Sequence, residues 1–146
     1  MKVKAIMTVT AMTIAIFLFA CSSGPRQTAV EVSCAEFTNQ KNVTKQVEVG
    51  AGDTLTVTLC SNPSTGFGWP ESAQISDQAI VQQTDHKYVA PEAGNGVTPV
   101  TGAPGQEVWT FEALKKGTST IYVEYSRLWE GGEKGEWTFR LTVVVK

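Results

Sequence analysis

Few residues of the sequence have the types and spacing that covalent chemistry requires. A hydrolase needs an activated nucleophile, a base within reach and usually a third group that orients the base. The only histidine, His86, lies between Asp85 and Lys87 without a partner motif, which favours a solvated or locally hydrogen-bonded side chain. The acidic residues are scattered, and no motif marks two of them as the carboxylate pair of a glycosidase. No cysteine lies close to the histidine in the sequence, which disfavours a metal site. The sequence therefore predicts a protein that is not an enzyme and needs no metal or other cofactor.

The first twenty residues have the layout of a secretory signal. Lys2 and Lys4 precede an apolar run, residues 5–20, that contains no acidic residue and is shorter than the roughly 20 residues of a membrane-spanning helix. The run ends at Leu18-Phe19-Ala20-Cys21, which resembles a bacterial lipobox. That resemblance implies cleavage before Cys21, diacylation of Cys21 and a lipid anchor. An ordinary signal peptide with an incidental cysteine is the alternative.

Cleavage before Cys21 would divide the chain into three parts. These are a signal peptide, residues 1–20, a lipidated tether, residues 21–28, and one domain, residues 29–146. Ser22 follows the modified cysteine where an aspartate commonly retains lipoproteins in the inner membrane. We therefore expect a protein that is lipid-anchored in the bacterial cell envelope, in the outer membrane.

The charge and the cysteines of the remaining chain limit its partners and its compartment. Removal of the signal takes away two lysines, so ten basic residues face fourteen acidic ones and the formal net charge becomes −4. A mildly acidic domain is a poor candidate for binding nucleic acid. Cys34 and Cys60 are left as an even pair in an oxidising compartment, which favours a disulfide. Two free thiols are the alternative, because the sequence does not show the required geometry.

Apolar and polar residues alternate along several segments of the domain, which is the pattern of half-buried β-strands. Five segments show it most clearly: 43–49, 55–59, 108–111, 119–125 and 137–145. They are separated by turn-rich stretches that include 62–68, 91–105 and 130–135. Several short strands without a convincing amphipathic helix predict an all-β sandwich.

Two of the connections contain residues that an ordinary turn does not need. In one, Pro63 fixes φ, Asn62 can cap a turn through its side chain, and Gly66 permits a positive φ, so this segment should be sharply shaped and held still. In the other, Arg127 and Trp129 are large side chains of the kind that anchor interfaces. The alternatives are an ordinary strand connection in the first case and a tryptophan folded back onto the core in the second.

From about Val43 to Val145 the chain resembles the chagasin-type inhibitors of papain-like cysteine peptidases. Their first signature, Asn-Pro-x-Thr-Gly-aromatic-x-Trp, matches the segment from Asn62 to Trp69. Their glycine-rich second loop corresponds to residues 102–105, with Pro104 in place of a glycine. Their third signature, Arg-Pro-Trp-x-Gly, matches residues 127–131, with Leu128 in place of the proline. The loss of that proline is expected to leave the third loop less rigid.

The resemblance implies an immunoglobulin-like β-sandwich whose three loops gather at one end and enter the active-site cleft of a peptidase. Thr65 and Gly66 would lie near the catalytic cysteine and histidine of that peptidase. Inhibition would be reversible and competitive, by a monomer that supplies no reactive group. The implied peptidase-binding residues are Asn62, Pro63, Ser64, Thr65, Gly66, Phe67, Gly102, Gly105, Arg127, Trp129 and Gly131. Because a fold does not dictate function, an exported immunoglobulin-like module that binds another protein or a glycan is the alternative.

Overall fold

Eight strands build two four-stranded sheets in the computed structural model, which describes residues 24–91 and 102–146. In chain order they are β1 (Gln27–Val32), β2 (Asn42–Val49), β3 (Thr54–Ser61), β4 (Gln74–Ile75), β5 (Val81–Val89), β6 (Gly105–Ala113), β7 (Gly117–Tyr125) and β8 (Trp137–Val145). One sheet has the order β1-β3-β6-β5 and the other the order β2-β8-β7-β4. β1 runs parallel to β3 and β2 parallel to β8, whereas the remaining neighbours are antiparallel. The predicted all-β, immunoglobulin-like sandwich is confirmed.

The alternating residues of the sequence point into the space between the sheets. In β3, Leu55, Val57 and Leu59 are buried while the intervening threonines are half-exposed. Removing such side chains from water stabilises the fold by about 1.5–3 kcal/mol each. The largest fully buried side chains are Trp109, Phe37, Phe111, Phe139, Leu55, Leu59, Ile121 and Leu141.

Four elements were not predicted by the sequence patterns: β1, β4, β5 and the helix α1 (Cys34–Asn39). Gln27 and Thr28, assigned above to the tether, are the first two residues of β1. The helix is capped by Ser33, whose Oγ accepts the Glu36 N–H at 3.2 Å, and it buries Phe37. A helix of six residues with one buried position has no amphipathic period, so no pattern marks it. No helix in the described part of the chain is both long and apolar enough to cross a membrane.

A disulfide joins Cys34, at the start of α1, to Cys60, the penultimate residue of β3. The two Cα atoms are 5.1 Å apart, which is within the usual range for a disulfide. The predicted pairing is confirmed. It attaches α1 to the strand that leads directly into segment 62–68.

Three connections meet at one end of the sandwich, and we name them the first loop (residues 62–68), the second loop (90–104) and the third loop (127–136). Ser61 at the end of β3 pairs with Gly105 at the start of β6, which places the first and second loops side by side. Tyr125 at the end of β7 pairs with Trp137 at the start of β8, which closes the base of the third loop. A bridge between Gly68 and Ser126 joins the first loop to the third.

Candidate functional site

The tip of the first loop is a single turn of 3-10 helix, Pro63–Thr65, that ends in a left-handed glycine. The Thr65 N–H donates to the Asn62 carbonyl at 3.1 Å, and the Gly66 N–H donates to the Pro63 carbonyl at 3.0 Å. Gly66 has a φ of 78°, which confirms the positive φ expected there. Pro63, Ser64 and Thr65 are exposed, so this turn is the part of the loop that a partner can reach.

Both hydroxyl groups at the tip are used within the loop. Thr65 Oγ1 donates to the Asn62 carbonyl at 2.7 Å, and Ser64 Oγ donates to Asn62 Oδ1 at 2.6 Å. A serine or threonine acts as a nucleophile only when a base takes its proton, whereas these protons go to oxygen atoms of the loop itself. The tip therefore offers a fixed shape and not a reactive group.

Asn62 connects the first loop to the second loop and to the end of β7. Its Nδ2 donates to the Gly102 carbonyl of the second loop at 3.0 Å, and its backbone N–H donates to Tyr125 Oη at 2.8 Å. The prediction that the Asn62 side chain caps the turn is wrong in its detail, because it accepts no turn N–H. The amide spans the gap to the second loop instead, which the one-dimensional sequence could not show.

The far end of the first loop is held as firmly as its start. Trp69 is 3% exposed, and its Nε1 donates to the Cys60 carbonyl at 2.9 Å. Gly68 and Ser126 exchange two backbone hydrogen bonds of 2.9 and 3.0 Å. The far end of the loop is thus fixed both to β3 and to the residue that follows β7.

The third loop is closed by its own hydrogen bonds. The Arg127 N–H donates to the Glu133 carbonyl at 2.8 Å, and the Gly132 N–H donates to the Trp129 carbonyl at 3.2 Å. Gly131 has a φ of 73°, which lets the chain reverse. Trp129 is 51% exposed, so it is not folded back onto the core and is available to a partner.

A cation–π stack couples the first and third loops. The guanidinium carbon of Arg127 lies 4.7 Å from the centre of the Phe67 ring and 5.3 Å from that of Trp129. A Cβ built on Gly66 would lie 3.1 Å from Trp129 Cη2. Trp129 therefore packs against Gly66 of the first loop, and the Arg127 guanidinium lies over both aromatic rings.

The described part of the second loop includes Gly102, whose φ is 87° and which is exposed. Residues 92–101 lie outside the described residues. Gly105 is buried at the start of β6, and a Cβ there would lie 2.5 Å from both Tyr88 Oη and the Val89 carbonyl oxygen. Gly105, which was predicted to bind the peptidase, thus supports the base of the second loop by letting β5 and β6 approach each other.

A buried pair of titratable groups lies beneath the loops. His86 is part of β5 and its Nε2 lies 2.8 Å from Glu107 Oε2, with the side chains 17% and 10% exposed. The prediction of a solvated or locally hydrogen-bonded His86 is wrong, because the histidine reaches a carboxylate of the neighbouring strand. Burial raises the pKa of Glu107, and His86 and the Ser61 hydroxyl partly oppose that rise. The alternation of β6, which turns Glu107 inward with Trp109 and Phe111, is the signal that could have revealed this pair.

The structure gathers the predicted site residues at one end of the sandwich, apart from Cys21, which lies outside the described residues. Two supporting residues were missed: Tyr125, which holds the start of the first loop, and Lys134, whose Nζ donates to carbonyls of the third loop. Neither is marked by its local sequence. Within residues 24–91 and 102–146, no group of three histidine, cysteine, aspartate or glutamate side chains is placed to hold a metal ion.

Comparison with known proteins assigns this arrangement to a family of inhibitors. The family model of the chagasin family peptidase inhibitors (I42) matches residues 48–143. Amoebiasin-2 of Entamoeba histolytica is 27% identical over 100 residues, which cover 68% of this chain and 76% of that protein. Chagasin of Trypanosoma cruzi is 28% identical over 85 residues, which cover 57% of this chain and 73% of chagasin.

A solved structure shows the same fold. The crystal structure of the cysteine protease inhibitor EhICP2 from Entamoeba histolytica aligns with a TM-score of 0.63 at 24% identity. The alignment covers 84% of this chain and 100% of that one.

Proposed function

The chain belongs to the chagasin family of peptidase inhibitors, and on that premise we propose that it inhibits papain-like cysteine peptidases by inserting its first loop into their active-site cleft. The observation that carries the proposal is the exposed turn Pro63–Thr65, which is fixed in shape and flanked by the second and third loops. A partner would meet the first and third loops already in place, with Gly102 of the second loop beside them.

The first loop fits a cleft because it is narrow and rigid. Its hydroxyl groups are hydrogen-bonded internally, and Asn62 ties it to Gly102 on one side and to Tyr125 beneath. A loop that keeps its shape loses little conformational entropy when it docks, so more of the contact energy appears as affinity. Its lack of a reactive group predicts inhibition that is reversible and competitive.

The flanking loops supply the area that a single narrow loop lacks. On one side, Trp129 and Leu128 are 51% and 63% exposed, and an exposed tryptophan at the edge of a loop is a typical anchor. On the other side, Gly102 presents backbone without a side chain. Together the three loops suit a contact of ordinary protease–inhibitor size, about 1,200–2,000 Å² in total.

Steady-state inhibition of papain and of a cathepsin by the purified mature protein tests the proposal. We expect the apparent inhibition constant to rise linearly with substrate concentration, activity to return on dilution, and the inhibitor to be recovered intact by mass spectrometry. Absence of inhibition at micromolar concentrations of correctly folded protein would refute the proposal in favour of an exported module that binds another protein or a glycan.

We further propose that the protein is exported and anchored in the outer membrane through a lipid on Cys21. The motif at residues 18–21 supports this proposal, and so does the position of the first strand. Gln27 of β1 pairs with Thr54, at the start of β3, whereas the first loop follows the end of β3. The described chain thus enters at the end opposite the loops, about 25 Å away along the strand. An anchor there would leave the three loops facing away from the membrane.

Metabolic labelling with a fatty acid tests the anchor. We expect label on the parent protein, and we expect Cys21→Ser to lose both the label and its sedimentation with membranes while inhibition by the soluble protein is unchanged. An unlabelled Cys21→Ser protein that still sediments with membranes would contradict the anchor without affecting the inhibitory function.

A further inference from the structure

The third loop is closed although it lacks the proline that stiffens the same signature in similar inhibitors. Leu128 occupies that position and is 63% exposed. Leucine does not fix φ as proline does, so the sequence alone predicts a looser loop. Backbone hydrogen bonds close the loop, and a side chain adds a further restraint at the position of the missing proline.

Lys134 is placed to restrict it. The Lys134 ammonium donates to the carbonyl of Arg127 and, at 3.2 Å, to that of Trp129. These two carbonyls come from the two residues on either side of Leu128. One side chain therefore restrains the two residues that flank position 128, where a proline would have restricted the backbone directly.

We propose that Lys134 is a positioning residue that holds the third loop in its binding shape and takes over the role of the missing proline. The inference rests on the proposed inhibitory function. Its physical basis is that an ammonium group bonded to two carbonyls opposes their separation, so that opening the loop breaks both charge-assisted hydrogen bonds at once.

The backbone hydrogen bonds that close the loop involve the same two residues that Lys134 holds. The Trp129 carbonyl accepts both the Gly132 N–H and the lysine, and Arg127 is bonded through its N–H to Glu133. Lys134 is exposed and makes no ion pair with a carboxylate of the described residues. Water can replace its hydrogen bonds when it is removed, so the stability of the domain should barely change while the loop samples more conformations.

Loop opening raises the apparent dissociation constant in inverse proportion to the fraction of protein that keeps the competent shape. We expect Lys134→Met to raise the inhibition constant for papain about three- to tenfold, mainly through a slower apparent association rate. The melting temperature should stay within about 2 °C of the parent value, since no buried group is lost. The Lys116→Met variant removes an equal charge from the exposed turn between β6 and β7, at the end of the sandwich opposite the loops, and is the control for long-range charge effects, with an expected change of less than about twofold.

Rescue by proline distinguishes positioning from direct contact with the peptidase. If Lys134 only restricts the loop, Leu128→Pro should make it dispensable, and Lys134→Met in the L128P background should cost less than about twofold. A loss that is equal in both backgrounds would overturn the inference, because it would mean that the lysine touches the peptidase. A Lys134→Met protein that inhibits as well as the parent, or a Lys116→Met protein that loses as much, would overturn it too.

Amide hydrogen exchange provides a second measurement that does not depend on inhibition. The N–H groups of Arg127 and Gly132 close the loop, so Lys134→Met should speed their exchange about three- to tenfold without affecting amides of the core strands. Unchanged exchange at both amides would refute the positioning role even if the protein inhibited no peptidase. A parent protein that fails to inhibit while Lys134→Met speeds the exchange would instead refute only the proposed function.

Discussion

Replacing Gly66 with alanine tests whether the first loop acts through its shape. The residue has a φ of 78°, in the left-handed region that L-residues with a Cβ adopt at a cost of about 1–2 kcal/mol. The new Cβ would also lie 3.1 Å from Trp129 Cη2 and 3.5 Å from Cζ3. Those contacts are tight, so the tryptophan or the loop must shift by a few tenths of an ångström.

The size of the effect follows from where the strain can be relieved. The first loop can escape the left-handed conformation by leaving its present shape, and only the present shape is competent for insertion. Strain of about 1–2 kcal/mol would then reduce the competent population, and weaken inhibition, by up to about five- to thirtyfold. Displacement of Trp129 adds to the loss, because the first and third loops share that contact.

Gly52→Ala is the matched control. Gly52 has a φ of 87° and no atom within 4 Å of the position of a Cβ, and it lies in the turn before β3, at the opposite end of the sandwich. Both variants should lose about 1–2 kcal/mol of unfolding free energy in urea titrations. Only Gly66→Ala should lose inhibition of papain. Equal inhibition by the two variants would show that inhibition does not depend on the shape of the first loop.

Three further predictions concern the supports of the loops. Trp129→Ala should weaken inhibition about thirtyfold, or about 2 kcal/mol, with an unchanged melting temperature, and a folded variant that inhibits like the parent would remove Trp129 from the interface. Reduction of the Cys34–Cys60 disulfide should lower the unfolding free energy by about 2–4 kcal/mol and also weaken inhibition, whereas two thiols that can be alkylated without reduction would disprove the bond. Burial raises the pKa of Glu107 in the native state, so the native state binds this proton more tightly than the unfolded chain does. The resulting gain in unfolding free energy is fully present below the ordinary glutamate pKa of 4.5 and is lost as the pH rises through the native pKa. Glu107→Gln should therefore gain stability relative to the parent as the pH rises above about 4.5 in urea titrations, and a constant difference between pH 4 and 7 would contradict this.

The parts of the fold that the sequence predicted are those with local signals. Apolar and polar residues alternate from Thr54 to Leu59 in β3 and from Thr138 to Val143 in β8, and burial follows the alternation over both stretches. The turn of the first loop was also predictable, because proline fixes its own φ and glycine permits a positive φ whatever surrounds them. Such features depend on neighbours in the chain and need no knowledge of the tertiary structure.

The parts that were missed depend on contacts between distant residues. β5 has one buried residue, Val81, at its start, and it is a strand because β6 pairs with it. For the same reason His86 was expected to be solvated or locally hydrogen-bonded, since Glu107 is twenty-one positions away and reaches it only through that pairing. Lys134 could not be recognised because its partners are backbone carbonyls, which every residue possesses.

The rigidity of the binding end has its origin in an aromatic cluster beneath the loops. Trp69 lies 4.9 Å from Tyr125, and Phe37 lies 5.1 Å from Trp137 and 5.3 Å from Trp69, measured between ring centres. Tyr125 and Trp69 also use their polar atoms to hold the two ends of the first loop.

Phe37 extends this cluster beyond the part of the chain that matches the family model, residues 48–143. It comes from α1, which the disulfide attaches to β3 one residue before that strand ends. Aromatic rings have few rotamers to lose and large areas to bury, so a packed cluster of them is rigid. Residues that never contact a peptidase can thus affect the affinity of the loops above them, because a rigid cluster beneath the loops lowers the entropy that the loops lose on docking.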